Sequence, residues 1–356
     1  MGNLPRYAQA LDQIRLDVYP TRTIYEFEGA GVDVTLTFTT PTLPEDLDVL
    51  SRPVTYLTWD VKSTDGKEHN VDLYFDAAAD LTINSTDQTV VWERRDVDGM
   101  NILRMGAENQ FPLSKKGDDI RIDWGYLYVG TDNSFFPSST VAEGKAARAQ
   151  FINNGQLPGM DTQMPRAARD RQPVIAFAFN CGKVTEKQVV LAVGYDDIYS
   201  IQFMGENLRA WWRRNGATPE DIFPLVRDQY VSLSQRCKEF DEELMKDLTD
   251  EGGIKYAKLC ALAYRESFAA SKVVADANGQ PLMFCKENHS NGCMGTVDVF
   301  YPQSPMLIFM APSLIKATVA PIMEYTKSPR WKFRFAPHDV GTYPVANGQV
   351  YGGGER

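Results

Sequence analysis

The first half of the chain alternates apolar and polar residues with a period of two. The segment VDVTLTFTT turns four apolar side chains toward one face: Val32, Val34, Leu36 and Phe38. YLTWDVK and NVDLYFDA repeat this alternation. This alternation is typical of β-strands with one face buried in the core and the other exposed to solvent. Between these two runs, STDGKEHN predicts a hairpin turn through Asp65 and Gly66.

Further strand-like runs follow at TVVWERR, NILRMG, IRIDWGYLYVG, PVIAFAFN and KQVVLAVGY. Many short strands separated by turn residues favour an antiparallel β-sandwich over a parallel sheet. One segment departs from the pattern: residues 139–153, STVAEGKAARAQFIN, are predicted to form a helical insertion.

The second half of the chain changes to a helical period. Apolar positions recur in steps of three and four at Val226, Tyr230, Leu233, Cys237, Phe240 and Leu244. After a break at DEGG, a second stripe comprises Tyr256, Leu259, Cys260, Ala263 and Phe268. A third helical region, residues 304–327, is kinked by its prolines. The sequence therefore predicts a β-sandwich domain over residues 1–215 and a helical domain over residues 216–356.

Composition and charge narrow the class of protein. A chain of 356 residues is long for one core, and its net charge of −10 argues against a broad nucleic-acid surface. The most apolar stretch, residues 305–323, is interrupted by Pro312, Lys316 and Pro321, so no membrane span is expected. The N-terminal residues lack the apolar run of a signal peptide, which at face value indicates the cytoplasm if Met1 is the true start.

The segment FCKENHSNGCMG spaces Cys285, His289 and Cys293 four residues apart, and zinc accepts such ligands. The turn residues NHSNG interrupt the helical period that would bring these three together. Three interpretations are open: a zinc site, a disulfide between the cysteines, or a cleft loop presenting Glu287, Asn288 and His289 to a substrate. We favour the cleft loop and predict no metal and no cofactor.

A second loop, APHDVGTYP, places His338 beside Asp339 on a turn bounded by proline and glycine. General acid–base catalysis needs groups that titrate near neutral pH, so both are candidate catalytic residues. The alternative is a capping aspartate and a surface histidine. Asp298, in TVDVFYP before a predicted helix, is a third candidate, and a structural cap is again the alternative.

Two further features bear on function. The adjacent Trp211 and Trp212 in NLRAWWRRNG are predicted to face different sides, one packing between domains and the other half exposed, with a sugar-stacking or cation–π role as the less favoured alternative. P-loop, dinucleotide-binding, G-x-S-x-G and S-x-x-K motifs are absent from the sequence, which excludes several common enzyme classes.

Several long motifs resemble one known family. The run beginning DVYPTRTIYEFEGAGVDV at residue 17 resembles the N-terminal domain of the glutaminase A family. Its central domain is similar to LRAWWRRNG, YAKLCALAYRESFAA, KENHSNGCMGTVDVFYPQSP and RWKFRFAPHDVGTYPVANGQ. The resemblance implies a β-sandwich followed by a helical toroid of the six-hairpin glycosidase type. The toroid of the family continues beyond this sequence, so we interpret the chain as a fragment that lacks its C-terminal part.

The family name implies hydrolysis of glutamine to glutamate and ammonia, whereas the toroid suggests carbohydrate chemistry by paired carboxylates. The expected partner is therefore a small-molecule substrate, either glutamine or a glycoside. A non-enzymatic alternative is a recognition module in residues 17–215. The resemblance also implies a secreted or periplasmic full-length protein, and an isolated fragment with an incomplete site is expected to be inactive.

Overall fold

The computed structural model describes residues 9–354, and its larger sheet has nine antiparallel strands. With strands numbered along the chain, their spatial order is β1 Asp12–Val18, β2 Arg22–Gly29, β3 Val32–Thr39, β4 Val54–Ser63, β12 Glu186–Asp196, β8 Tyr126–Asp132, β7 Met100–Ala107, β6 Thr89–Arg94 and β10 Arg166–Ala167. A second sheet contains β5 His69–Ala78, β11 Pro173–Val184 and β9 Ser138–Glu143.

The two sheets enclose the main hydrophobic core. Trp59 and Leu191 of the larger sheet and Ile175 and Phe177 of the smaller one belong to a single buried cluster. The alternating positions of β3, which include Leu36, also face this cluster. The predicted antiparallel β-sandwich is therefore confirmed.

The outer face of the larger sheet is covered by a long helix. The helices are α1 Leu47–Leu50, α2 Gly144–Asn154, α3 Pro219–Ala269, α4 Val297–Met310 and α5 Pro312–Lys327. Tyr56 and Tyr128 of the sheet pack with Phe223 and Val226 of α3. A Cβ atom at Gly130 would lie 3.0 Å from the Phe223 ring, so glycine lets α3 approach closely. The sheet is thus buried on both faces where α3 covers it. The prediction of one solvent-exposed face is wrong for this part of the sheet.

Helix α3 is interrupted at the predicted break. Gly253 has φ 79° and ψ 170°, which no α-helix accommodates, so two helical segments meet there. The first segment buries Val226, Leu233 and Cys237 as predicted. In the second stripe Phe268 is buried as predicted, but the prediction was wrong for Tyr256 and Leu259, which are 46% and 65% exposed. The residues of this segment that are buried are Ala257, Ala261, Tyr264 and Phe268.

Three local predictions also need correction. Strands β4 and β5 do not form a hairpin, because β4 bonds to β3 and β12 whereas β5 bonds to β11 in the other sheet. The chain at Asp65 and Gly66 instead crosses between the sheets. Residues 139–143 of the predicted helical insertion belong to β9, and the helix starts at Gly144. The third helical region begins earlier, at Val297, and is divided at Ala311 into α4 and α5.

A hairpin that the sequence analysis missed supports the helical part. It consists of β15 Ser271–Ala275 and β16 Pro281–Cys285. Met283 packs with Leu314 of α5 and Phe268 of α3, so the hairpin buries apolar surface of both helices. A small sheet then joins β13 Ile201–Phe203 to β14 Glu206–Leu208 and, in parallel, to β17 Val345–Ala346.

Trp212 is buried between these layers and Trp211 is only partly buried, as the sequence analysis predicted for one tryptophan of each kind. Trp212 belongs to the cluster formed by the outer sheet face and α3, and Trp211 packs against the cluster of Tyr264 and Phe268. The Arg214 guanidinium lies 4.1 Å from the centre of a Trp211 ring. Within residues 9–354, no helix is long and apolar enough to cross a membrane.

Candidate functional site

The two loops that the sequence analysis singled out lie side by side. Met294 N donates to the Gly341 carbonyl at 2.8 Å, and Val340 N donates to the Met294 carbonyl at 3.0 Å. At the start of α4, Val297 N donates to the His338 carbonyl at 3.0 Å. These backbone bonds bring the beginning of α4 next to the His338 turn.

Asp298, His338 and Asp339 come together there. His338 Nδ1 lies 3.0 Å from Asp339 Oδ2, and His338 Nε2 lies 3.7 Å from Asp298 Oδ1. Asp339 is fully buried, whereas the Asp298 side chain is 78% exposed in the first turn of α4. The Tyr351 ring stacks on the imidazole with 4.2 Å between ring centres. Because a carboxylate only accepts, His338 carries its proton on Nδ1 and donates it to Asp339, and the unprotonated Nε2 faces Asp298.

Asp339 is held in place by the backbone around it. Its Oδ1 accepts hydrogen bonds from Gly341 N at 2.9 Å and Val350 N at 3.0 Å, and its Oδ2 accepts one from Tyr351 N at 3.1 Å. Gly341 has φ 142°, and a Cβ there would lie 2.4 Å from the Val345 carbonyl oxygen. The turn therefore needs glycine, and the buried carboxylate both organises the loop and orients His338.

The three residues predicted to bind substrate are placed differently. Glu287 accepts a hydrogen bond from the Ser290 hydroxyl, and its backbone N donates to the Cys293 carbonyl at 2.8 Å. Asn288 and His289 are exposed, and His289 adopts a left-handed φ of 58°. Asn288 lines a cavity whose walls do not include Asp298, His338 or Asp339. A substrate role for Glu287, Asn288 and His289 stays a prediction.

The structure offers a different candidate metal cluster from the one the spacing suggested. Within residues 9–354, the one group of three ligand-type side chains whose ligand atoms all lie within 4.8 Å of one another is Cys293, His338 and Asp339. Burial and the nearby Asp339 carboxylate raise the pKa of the Cys293 thiol to about 12, so a nucleophilic thiolate is not favoured. Asp339 already accepts three backbone N–H bonds. This donor set does not fit zinc well.

We therefore expect elemental analysis of the purified protein to show no stoichiometric metal. Replacing both Cys285→Ser and Cys293→Ser should leave the protein folded, because Ser271 and Asp339 remain as partners for the new hydroxyls. Both cysteines are free thiols. One zinc per chain that disappears in the double variant would contradict this expectation.

Several charged or aromatic residues near the two loops could not be recognised as functional candidates from the sequence. Tyr351 lies in a glycine-rich segment of loop composition, and Lys272 belongs to a hairpin that was not predicted. Lys286 pairs with Asp118 of the sandwich at 2.7 Å. The polar run SKKGDD around Asp118 reads in sequence as an ordinary surface loop.

Comparison with known proteins identifies the family. A domain of unknown function (DUF5127) matches residues 21–247, and the glutaminase A six helical-hairpin domain matches residues 253–356. The chain is 28% identical over 365 residues to Glutaminase A of Aspergillus oryzae (strain ATCC 42149 / RIB 40), an alignment that covers 100% of this chain and 52% of the relative. It is 24% identical over 339 residues to a probable glutaminase of Arthroderma benhamiae (strain ATCC MYA-4681 / CBS 112371), an alignment that covers 88% of this chain and 38% of the relative.

The chain belongs to the glutaminase A family, in agreement with the resemblance of its motifs. It spans about half the length, or less, of these curated relatives. The two matched ranges meet between residues 247 and 253. The domain boundary near residue 215 stays a prediction.

Proposed function

We propose that the protein takes part in glutaminase-type amide hydrolysis, which converts glutamine to glutamate and ammonia, with His338 as the proton carrier. The observation that carries this proposal is the alignment of buried Asp339, half-buried His338 and exposed Asp298. The names of two relatives, a glutaminase A and a probable glutaminase, point to the same reaction class.

The arrangement supplies a general base whose orientation is fixed. With Nδ1 bonded to Asp339, His338 Nε2 can take a proton from a water that attacks the carboxamide carbon. The same nitrogen then returns the proton to the departing amine, so that ammonia leaves, and the carboxylic acid that remains loses its own proton to solvent to become a carboxylate. Asp298 lies close enough to stabilise the imidazolium that forms between these two steps.

Glycoside hydrolysis is the alternative, and the geometry of these carboxylates is less suited to it. Glycosidases place two carboxyl groups about 5–9.5 Å apart on either side of the scissile bond. Asp298 is exposed, but Asp339 is fully buried and bonded to backbone N–H groups. This pair cannot flank a sugar. A recognition module without turnover is the remaining alternative.

We also propose that helices beyond the matched half of the relatives would cover part of this structure. Leu259 of α3 and Ile308 and Phe309 of α4 are 65%, 61% and 87% exposed, although each is a large apolar residue. Proteins of the relatives' full length carry further chain that can pack there. A secreted or periplasmic location for such a protein is a proposal that rests on the family resemblance, and cell fractionation tests it.

The proposed reaction is tested by assaying the natural full-length protein for ammonia release from glutamine and for cleavage of a panel of nitrophenyl glycosides. Turnover of glutamine alone supports the proposal. Cleavage of glycosides alone would establish the alternative, and ligand binding without any turnover would favour the recognition module.

A further inference from the structure

Two neighbouring cavities lie where the sandwich meets the β15–β16 hairpin. One, of about 150 Å³, is bounded by Arg52, Asp197 and Trp212 from the sandwich side and by Lys272 from the hairpin. The other, of about 360 Å³, is bounded by Asp118 of a sandwich loop and by Lys272, Lys286 and Asn288. Both walls include Ser271 and Lys272, so the cavities adjoin. Clefts at domain junctions of roughly 300–1,000 Å³ are common places for small ligands to bind.

The hairpin presents its two lysines on one face. Lys272 pairs with Phe284 across the ladder, and Lys286 follows Phe284 by two residues. Since side chains alternate along a strand, Lys272 and Lys286 point to the same side. Each has one carboxylate partner, Asp197 at 2.8 Å and Asp118 at 2.7 Å. An ammonium group has three donors, so Lys272 keeps donors for a ligand.

The charges lining the two cavities do not cancel. Three cations, Arg52, Lys272 and Lys286, face two carboxylates, Asp118 and Asp197, which leaves one positive charge in excess. The unmatched cation is Arg52: within the described part of the chain it has no ion-pair partner, and it donates to the Gln229 amide oxygen at 2.6 Å. A positive cleft stands out in a protein whose net charge is −10.

The lysine charge persists at neutral pH. Burial alone would lower the pKa of Lys272, but Asp197 and Tyr343 raise it above its usual value. The hydrogen bond from Lys286 holds the pKa of Asp118 below its usual value. The cleft therefore keeps its positive excess in the pH range where a carboxylate ligand is ionised.

From this we propose that the joined cavities bind a small carboxylate-bearing ligand of amino-acid size, with its carboxylate between Arg52 and Lys272. Asp118 and the Asn288 amide are placed to contact an ammonium group or other polar part of the same ligand. The site shares no residue with the Asp298, His338 and Asp339 group. It concerns binding and does not depend on the proposed hydrolysis.

Calorimetric titration of the 356-residue chain with L-glutamate, with acetate and with uncharged glucose tests this proposal. Glutamate should bind, acetate should bind more weakly, and glucose should not bind. Arg52→Gln should weaken glutamate binding about tenfold or more, as expected for a lost charge-assisted hydrogen bond. Arg52→Lys should recover most of the affinity.

Lys272 cannot be replaced alone without leaving the buried Asp197 unpaired, so the second variant combines Lys272→Met with Asp197→Asn. It removes one charge of each sign and should also weaken glutamate binding about tenfold. The exposed Lys246→Gln should bind glutamate as the unchanged protein does. Unchanged glutamate affinity in both cleft variants, or binding of glucose but not of glutamate, would overturn the proposal whether or not glutamine is hydrolysed.

Discussion

Replacing His338 by asparagine is expected to lower the kcat for glutamine hydrolysis by about 10²–10⁴-fold, the usual contribution of a positioned general base. The asparagine amide can still donate to Asp339, but it cannot accept and return a proton at the position of Nε2. Circular dichroism should show an unchanged fold, because His338 is only half-buried and its backbone bonds to Val297 and Gln349 remain. Ammonia release by the full-length protein is the measurement.

The protein supplies a matched control for this variant. His69 also pairs with an aspartate, Asp65, at 2.9 Å, but at the junction between the two sandwich sheets. His69→Asn should leave turnover unchanged. Asp298→Asn should lower kcat less than the His338 variant, because Asp298 acts on the imidazolium rather than on the substrate. Full glutamine turnover in His338→Asn would rule out the proton-carrier role.

Much of the sandwich follows from the alternation of apolar residues, because a period of two fixes which side chains face the core. Alternation does not specify which strand lies beside which. The segment before Asp65 and the segment after it both read as strands, yet each finds its partners in a different sheet. The covering of the outer sheet face by α3 was missed for a similar reason, since Tyr56 and Tyr128 read equally well as half-exposed residues.

The residue types of the candidate site were visible in the sequence, whereas their contacts were not. A histidine next to an aspartate suggested acid–base chemistry, and the structure adds that the aspartate is buried and bonded to three backbone N–H groups. The charged cleft was missed because its pairs join distant segments: Lys286 meets Asp118, and Lys272 meets Asp197. In sequence, each of these residues looks like an ordinary surface charge.

The second substitution with a large expected effect, this time on stability, removes an ion pair between α3 and the sandwich. Asp241 of α3 is fully buried and accepts hydrogen bonds from Thr21 N at 2.8 Å, Thr21 Oγ1 at 3.0 Å and Arg22 Nε at 2.7 Å. Arg22→Met leaves this carboxylate without its counter-charge. Breaking one side of a buried ion pair typically costs about 3–5 kcal/mol, so we expect that loss in the free energy of unfolding near pH 7.

The cost of Arg22→Met should depend on pH in a defined direction. Burial raises the pKa of Asp241 in the folded protein above its unfolded value, and the Arg22 hydrogen bond opposes that rise. A group with a raised folded pKa favours the folded state at low pH, and this contribution is lost as the pH rises through the folded pKa. Without Arg22 the folded pKa rises further. The destabilisation should therefore shrink in acid, where Asp241 takes up a proton, and reach its full size at neutral pH.

Urea unfolding of both proteins at several pH values measures this dependence. The matched control is the exposed pair of Lys246 and Asp250, 2.9 Å apart, where Lys246→Met should leave the free energy of unfolding nearly unchanged. Adding Asp241→Asn to the Arg22 variant should recover part of the loss, since a neutral amide needs no counter-charge. If Arg22→Met were no more destabilising than the Lys246 variant, the ion pair of Arg22 and Asp241 would not stabilise the packing of α3 on the sandwich.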